Sequence, residues 1–182
     1  MRTRQDIVDA ARTMLGTRFH HQGRTPGVGL DCIGLGFCAG RMAGFDLPTI
    51  PADYPLIAVD DRLVRELDKY LDRVQVSGIG STKPGMILVF EFVVKVEHGV
   101  KISLPQHIRI RTDLGFIHAW TGCGKVAEHG IDKRWADRFV CAYDYRGIIE
   151  DNDDKTVETC KNKFENNVSY GPFPKFPERK VS

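Results

Sequence analysis

The chain has 182 residues, a length that suits one α/β or α+β domain with an extension and is short for two catalytic domains. Lys and Arg number 26 against 24 Asp and Glu, and a formal charge of +2 provides no strong field for steering toward nucleic acid or an anionic membrane. The start, Met1-Arg2-Thr3-Arg4-Gln5-Asp6, lacks the apolar stretch of a secretory signal, and no later run approaches the ~20 apolar residues that cross a bilayer. The expectation is a soluble product, made without an export signal of its own and without membrane insertion. The five cysteines, at 32, 38, 123, 141 and 160, are odd in number and contain no CxxC pair. That argues against a disulfide framework and a zinc ribbon, and leaves at least one free thiol.

In chain order, Ile7, Ala10, Ala11, Met14 and Leu15 fall at helical spacing over residues 4–15, with Thr3 as N-cap, Asp6 three residues on and Gly16 as the stop. Residues 17–30, rich in Gly, His, Arg and Pro, read as an irregular loop. A second helix starts after the N-cap Asp31 and runs over residues 32–43. Its glycines at 34, 36, 40 and 44 cost about 1 kcal/mol each relative to Ala, which close packing against a sheet would offset. Leu63, Val64, Leu67, Tyr70, Leu71 and Val74 predict a third, half-exposed helix over 61–74. Strands are predicted at 86–94, 106–111, 115–120 and 139–145. Helices first and strands afterward give an α+β class with an antiparallel sheet. From Glu150 the composition becomes acidic and then Pro-rich, with too few apolar residues for a second core. The expected organisation is a domain over 1–149 and an extension or docking tail over 150–182.

Cys32 falls in the first turn of the second helix, where the macrodipole and unpaired N–H groups stabilise a thiolate and can hold an oxyanion. By itself this is also the place of an ordinary buried cysteine. A four-residue loop at 111–114 would pair residues whose numbers sum to about 225, setting His107 opposite His118 with Cβ atoms about 5 Å apart. Nucleophile, base and orienting group would then be at hand. A paired-histidine metal site and two unconnected surface histidines are the alternatives, the metal site lacking an evident third ligand.

Four segments carry a resemblance: Leu15-Gly16-Thr17-Arg18-Phe19-His20-His21-Gln22-Gly23, Leu30-Asp31-Cys32-Ile33-Gly34-Leu35, Gln106-His107-Ile108-Arg109-Ile110 and Gly115-Phe116-Ile117-His118-Ala119. In this order they resemble the NlpC-type cell-wall cysteine peptidases, and among these the short proteins of tailed phages and gene transfer agents. The resemblance spans residues 5–147, and 124–129 and 142–145 resemble the closing strands of the phage-type members. It implies a papain-like (NlpC-type) α+β fold without metal or cofactor. Cys32 would attack a peptide carbonyl, His107 would move the proton, and His118 would orient His107. Asp31, Phe19, His21 and Gln22 would lie near the oxyanion and substrate. The implied reaction is hydrolysis of peptidoglycan stem peptides.

Two departures stand out. Many members carry Tyr where this chain has Phe19, so the role of that hydroxyl is vacant or falls to His20, His21 or Gln22. The usual Pro-Gly-Asp is Pro84-Gly85-Met86 here, and residues 91–105 are longer and more basic than the common turn, as though to cover the cleft or meet a partner. Cys38, six residues after Cys32, lies about 120° off its helical face and reads as core. Cys123, Cys141 and Cys160 read as structural thiols, His98 and His129 as ordinary surface or strand residues, and Trp120 as packing or cleft lining.

The reading is a cysteine peptidase acting on peptidoglycan through a thioester, carried to the wall in a virion tail with tail hub or tip proteins as partners. The alternatives are a structural tail-tip or plug protein that keeps the fold, and a cytoplasmic amidase or acyltransferase.

Overall fold

The computed structural model describes residues 2–50 and 52–150, so the expected tail lies, beyond Glu150, outside the described residues. Helix α1 (Arg4–Thr13) begins at Thr3, whose hydroxyl accepts the Asp6 N–H while the Asp6 carboxylate accepts the Thr3 N–H, a reciprocal capping box. The 17–30 loop holds a two-residue hairpin, β1 (Arg24–Thr25) with β2 (Gly29–Leu30), and single bridges from Arg18 to Lys125 and from Phe19 to Leu30. Helix α2 (Cys32–Met42) follows with Asp31 as its cap, then α3 (Arg62–Tyr70). Among the described residues no helix is long and apolar enough to cross a membrane.

The sheet has six antiparallel strands in the order β3-β8-β4-β5-β6-β7: β3 (Leu71–Val74), β4 (Ile87–Glu97), β5 (Val100–Arg111), β6 (Phe116–Trp120), β7 (Lys125–His129) and β8 (Phe139–Tyr145). A short helix, α4 (Lys133–Ala136), joins the last two. Three expectations are corrected. Residues 71–74 form β3, because β8 offers a partner in register from Leu71↔Tyr145 to Val74↔Ala142. Residues 91–105 are not a covering loop; they extend β4 and β5 into one exposed hairpin whose turn, His98-Gly99, has positive φ at both positions. Finally, β5 and β6 pair as Ile110↔Ile117 and Arg111↔Phe116, two residues away from the expected register, because the loop runs from Thr112 to Gly115.

One sheet face, with Ile87, Val89, Ile108, Ile110, Ile117 and Ala119, packs on α1 and α2 through Ile7, Ala11, Leu35 and Ala39. The small residues of α2 allow this approach. A Cβ on Gly36 would meet Ile108 at 3.0 Å, and one on Gly40 would meet the Tyr145 ring at 2.4 Å, where the Tyr145 hydroxyl donates to the Gly36 carbonyl. On Gly34 a Cβ would fall 2.0 Å from the Gly23 carbonyl oxygen, so this glycine lets the 17–30 loop lie directly on α2.

The opposite face carries Met86, Leu88, Phe90 and Ala142, with Trp135 of α4 and Phe139 against them. Arg109 is buried here at 0 % exposure, its guanidinium carbon 3.5 Å from the Trp135 ring centre, 4.2 Å from Phe116 and 4.5 Å from Phe90. None of its three nitrogens has a hydrogen-bond partner among the described residues. Cation–π attraction offsets only part of such a desolvation cost, and burial draws the guanidinium pKa down to about 8.

Two outcomes are expected in urea and thermal unfolding. Gly34→Ala lowers stability by about 3 kcal/mol, because the added methyl meets backbone and the ~1 kcal/mol of helix propensity it gains is too small to compensate; an unchanged midpoint would contradict the packing. Arg109→Met raises stability by about 1–4 kcal/mol by removing an unpaired buried charge, whereas a loss would mean that the guanidinium is compensated by an anion.

Candidate active site

Asp31 organises the approach to Cys32. The residue is 3 % exposed, and its carboxylate accepts four hydrogen bonds: from the Gly34 N–H (2.7 Å) and Arg24 (2.9 Å) on one oxygen, and from the Gln22 N–H (2.8 Å) and the Tyr54 hydroxyl (2.5 Å) on the other. Arg24 also donates to the Tyr54 hydroxyl, with its guanidinium beside that ring. One carboxylate thus caps α2, fixes the 17–30 loop and ties down the segment around Tyr54.

Cys32 therefore starts the helix next to a committed anion. The residue as a whole is half-buried, and burial of the sulfur and then the Asp31 charge push its pKa up to about 12. The nearby Ile108 and Ile33 backbone pulls the other way and loses. The thiol rests protonated, so the helix terminus does not produce the standing thiolate that position alone suggests.

The Ile108 contact locates Cys32 beside β5. Pairing of β5 with β6 stops at Ile110↔Ile117, and in the stretch beyond it the Ile108 backbone lies close enough to the Cys32 sulfur to favour its thiolate. Ile108 directly follows His107. Continuing the strand register would put His118 opposite Arg109 and His107 one diagonal step away, a distance that two aromatic rings span. His107 Nε2 and His118 Nδ1 are 3.0 Å apart, with the rings at 72° and both side chains buried. The two histidines meet as expected, though by a diagonal rather than a direct cross-strand pair.

Both imidazoles are held well below their usual pKa, first by burial and then by the Arg109 charge, and are neutral at pH 7. Trp120 stacks on His118 at 29° and 5.5 Å, and Phe92 meets His107 edge-on. A neutral thiol next to the strand of a neutral imidazole, itself hydrogen-bonded to a second imidazole, is a set that can move one proton without charge separation at rest.

The other expected positions have different occupations. Asp31 has both oxygens committed to the chain's own donors, so it anchors the loop and has no spare capacity for substrate. Phe19 packs against the core. His21 Nε2 and Gln22 Nε2 both reach the Tyr54 carbonyl oxygen, at 3.0 and 2.9 Å, and His20 Nδ1 lies 2.9 Å from the His21 carbonyl oxygen. The hydroxyl that Phe19 lacks is present nearby as Tyr54, from a Pro-containing stretch that shows no periodicity. Cys38 packs on the core as expected and donates to the Arg24 carbonyl. Beside the site a cavity of about 180 Å³ is lined by Ile33, Phe37, Tyr54, Leu63, Leu67 and Gln106, among others. Two of its lining residues, Ile33 and Gln106, are the chain neighbours of Cys32 and His107, which do not line it themselves. Among the described residues, His118, Cys123 and His129 stand close enough together to share a cation.

No curated protein matches the sequence. A family model described as phage conserved hypothetical protein BR0599 matches residues 147–180. Among the solved structures similar to the chain are three NlpC/P60-type proteins. NlpC1 from Trichomonas vaginalis has 17% identity and a TM-score of 0.53, over 78% of this chain and 43% of that one. An NlpC/P60 family protein from Bacillus cereus has 16% identity and a TM-score of 0.53, over 79% and 40%. A lipoprotein-like NLP/P60 family protein from Staphylococcus aureus has 18% identity and a TM-score of 0.51, over 78% and 41%. The chain spans less than half the length of each of these proteins. Helices packed on an antiparallel sheet in this arrangement are what it shares with them, and its fold is the NlpC/P60-type papain-like fold.

Proposed function

We propose that the chain is a cysteine peptidase that cleaves amide bonds in peptidoglycan stem peptides, acting as part of a phage or phage-like tail tip. The observation that carries this reading is the His107–His118 hydrogen bond beside a helix-terminal Cys32, in an NlpC/P60-type fold. The sequence segments around all three residues resemble the cell-wall peptidases, and the phage family model matched at residues 147–180 supports the tail association.

In the proposed cycle, His107 Nε2–H donates to His118 Nδ1, which leaves the His107 Nδ1 lone pair as the base. As the Cys32 sulfur attacks the carbonyl, its proton passes to His107, because a thiol pushed up to about 12 does not ionise unaided at neutral pH. The carbonyl oxygen becomes an oxyanion, for which N–H groups at the start of α2 are the nearest built-in donors. His107 then protonates the leaving amine, a thioester remains on Cys32, and water activated by His107 hydrolyses it. The cavity rimmed by Ile33 and Gln106 has room for one short side chain rather than a whole ligand, as suits a subsite for a single residue of a stem peptide.

A second reading, a structural tail-tip component that keeps the fold, draws on the same phage match and on the exposed β4–β5 hairpin. Digestion of purified peptidoglycan, with mass spectrometry of the released fragments, separates the two. Wild type should release stem-peptide fragments and Cys32→Ser none. His107→Ala should lose roughly 100–10,000-fold of the rate, and His118→Ala should lose less. Equal release by wild type and the Cys32→Ser protein would refute the mechanism, and no release by a folded wild type would favour the structural reading.

A further inference from the structure

His118 has a second ring nitrogen that the proposed cycle leaves idle. Its Nε2 is buried without a hydrogen-bond partner among the described residues, and so is the Nε2 of His129. The β6–β7 register brings the two together: His118 pairs with Ala127 and His129 with Phe116, so the histidines are diagonal neighbours with ring centres 5.1 Å apart. Cys123, on the turn that joins these strands, completes the group, and the ligand atoms of all three residues lie within 4.8 Å of one another. Tetrahedral Zn–N and Zn–S bonds need ligand atoms roughly 3.3–3.6 Å apart, so closing the set takes about an ångström. The movable member is Cys123, whose thiol now points to the carbonyl oxygens of Trp120 and Lys125 from a four-residue turn.

Two imidazoles and a thiolate suit Zn²⁺ and leave a fourth position open. Two buried nitrogens without partners among the described residues are costly unless satisfied, and a bound cation would satisfy both. Arg109 lies nearby, and its charge opposes a dication. Moderate affinity follows, suited to a reversible ligand rather than to a permanent structural ion.

We infer that His118, Cys123 and His129 form a zinc site whose occupation blocks the His107 base. The binding part stands on these three residues alone; the inhibitory part rests on the proposed peptidase reading. With the site empty, His107 holds its proton on Nε2 and His118 holds its own on Nε2. Zinc on His118 Nε2 requires the His118 proton to sit on Nδ1, where it donates to His107 Nε2. The second proton then resides on His107 Nδ1, the atom that must accept from Cys32. The two imidazoles keep the same two protons, and the Cys123 proton is released to solvent. One hydrogen bond thereby links zinc occupancy to the wrong tautomer of the base.

The test titrates the metal-stripped full chain with Co²⁺ as a spectroscopic probe. Wild type should bind one equivalent with tetrahedral d–d bands and a thiolate-to-cobalt charge-transfer band. Cys32→Ser should keep that band. Cys123→Ser should lose it, and His129→Ala should bind roughly 100-fold more weakly, at or beyond what loss of an outer-shell partner alone costs. No saturable binding, or a band lost in Cys32→Ser and kept in Cys123→Ser, would overturn the site. Peptidoglycan release by wild type should then stop on zinc saturation, with His129→Ala needing about 100-fold more zinc. Undiminished release by zinc-loaded wild type would overturn the tautomer block. A stripped wild type that binds Co²⁺ as expected but releases nothing would count against the peptidase reading and leave the metal site standing.

Discussion

The arrangement of the site depends on how the Asp31 carboxylate is satisfied. A buried anion requires compensation, and here two backbone N–H groups, a guanidinium and a phenol supply it from three separate segments. The helix cap, the 17–30 loop and the stretch around Tyr54 are therefore one structure. Gly34 and Gly23 approach each other too closely for any side chain at 34, which makes the same junction a backbone constraint as well as an electrostatic one. Cys32 inherits its position from this junction, as the first residue of a helix whose cap cannot move independently of the loop.

That placement has an electrostatic consequence. Helix dipole and backbone donors favour a thiolate, while desolvation and the neighbouring Asp31 charge oppose it, and the opposing pair is larger. Across the strand, Arg109 and burial keep both imidazoles neutral. The resting state is therefore uncharged at all three candidate residues, and the direction of the His107–His118 hydrogen bond decides which nitrogen of His107 can take a proton. Arg109 lies in an aromatic box without a hydrogen-bond partner among the described residues. Its charge acts on the same histidines.

Much of this was legible in the sequence where local chemistry decides. Thr3 with Asp6, Asp31 before a small-residue helix, and the β-formers of 139–145 each mark an element that forms near its expected bounds. The class and the meeting of His107 with His118 followed as well. What escaped depended on partners distant in the chain. Leu71 and Val74 fit a helical face as well as a strand, and only β8 makes them a strand. The β5–β6 register turned on whether Arg111 belongs to the strand or to the loop, and the 91–105 arm on reading His98-Gly99 as a two-residue turn. Tyr54 and Arg24 carry no periodic signal, so their convergence on Asp31 is visible only in three dimensions. His129 looked like an ordinary strand residue because its neighbour His118 comes from the adjacent strand.

The central claim is that Cys32 and His107 rest as a neutral thiol and a neutral imidazole, with the His107 proton on Nε2 toward His118. Nitrogen-15 NMR of the histidine rings in the metal-free protein at neutral pH tests it most directly, because tautomer and charge are read from the two ring nitrogens separately. The account predicts neutral His107 with a protonated Nε2 and an unprotonated Nδ1, and the same pattern in Cys32→Ser. An imidazolium signal at His107 that disappears in Cys32→Ser would contradict it, since that would mean a standing thiolate–imidazolium pair.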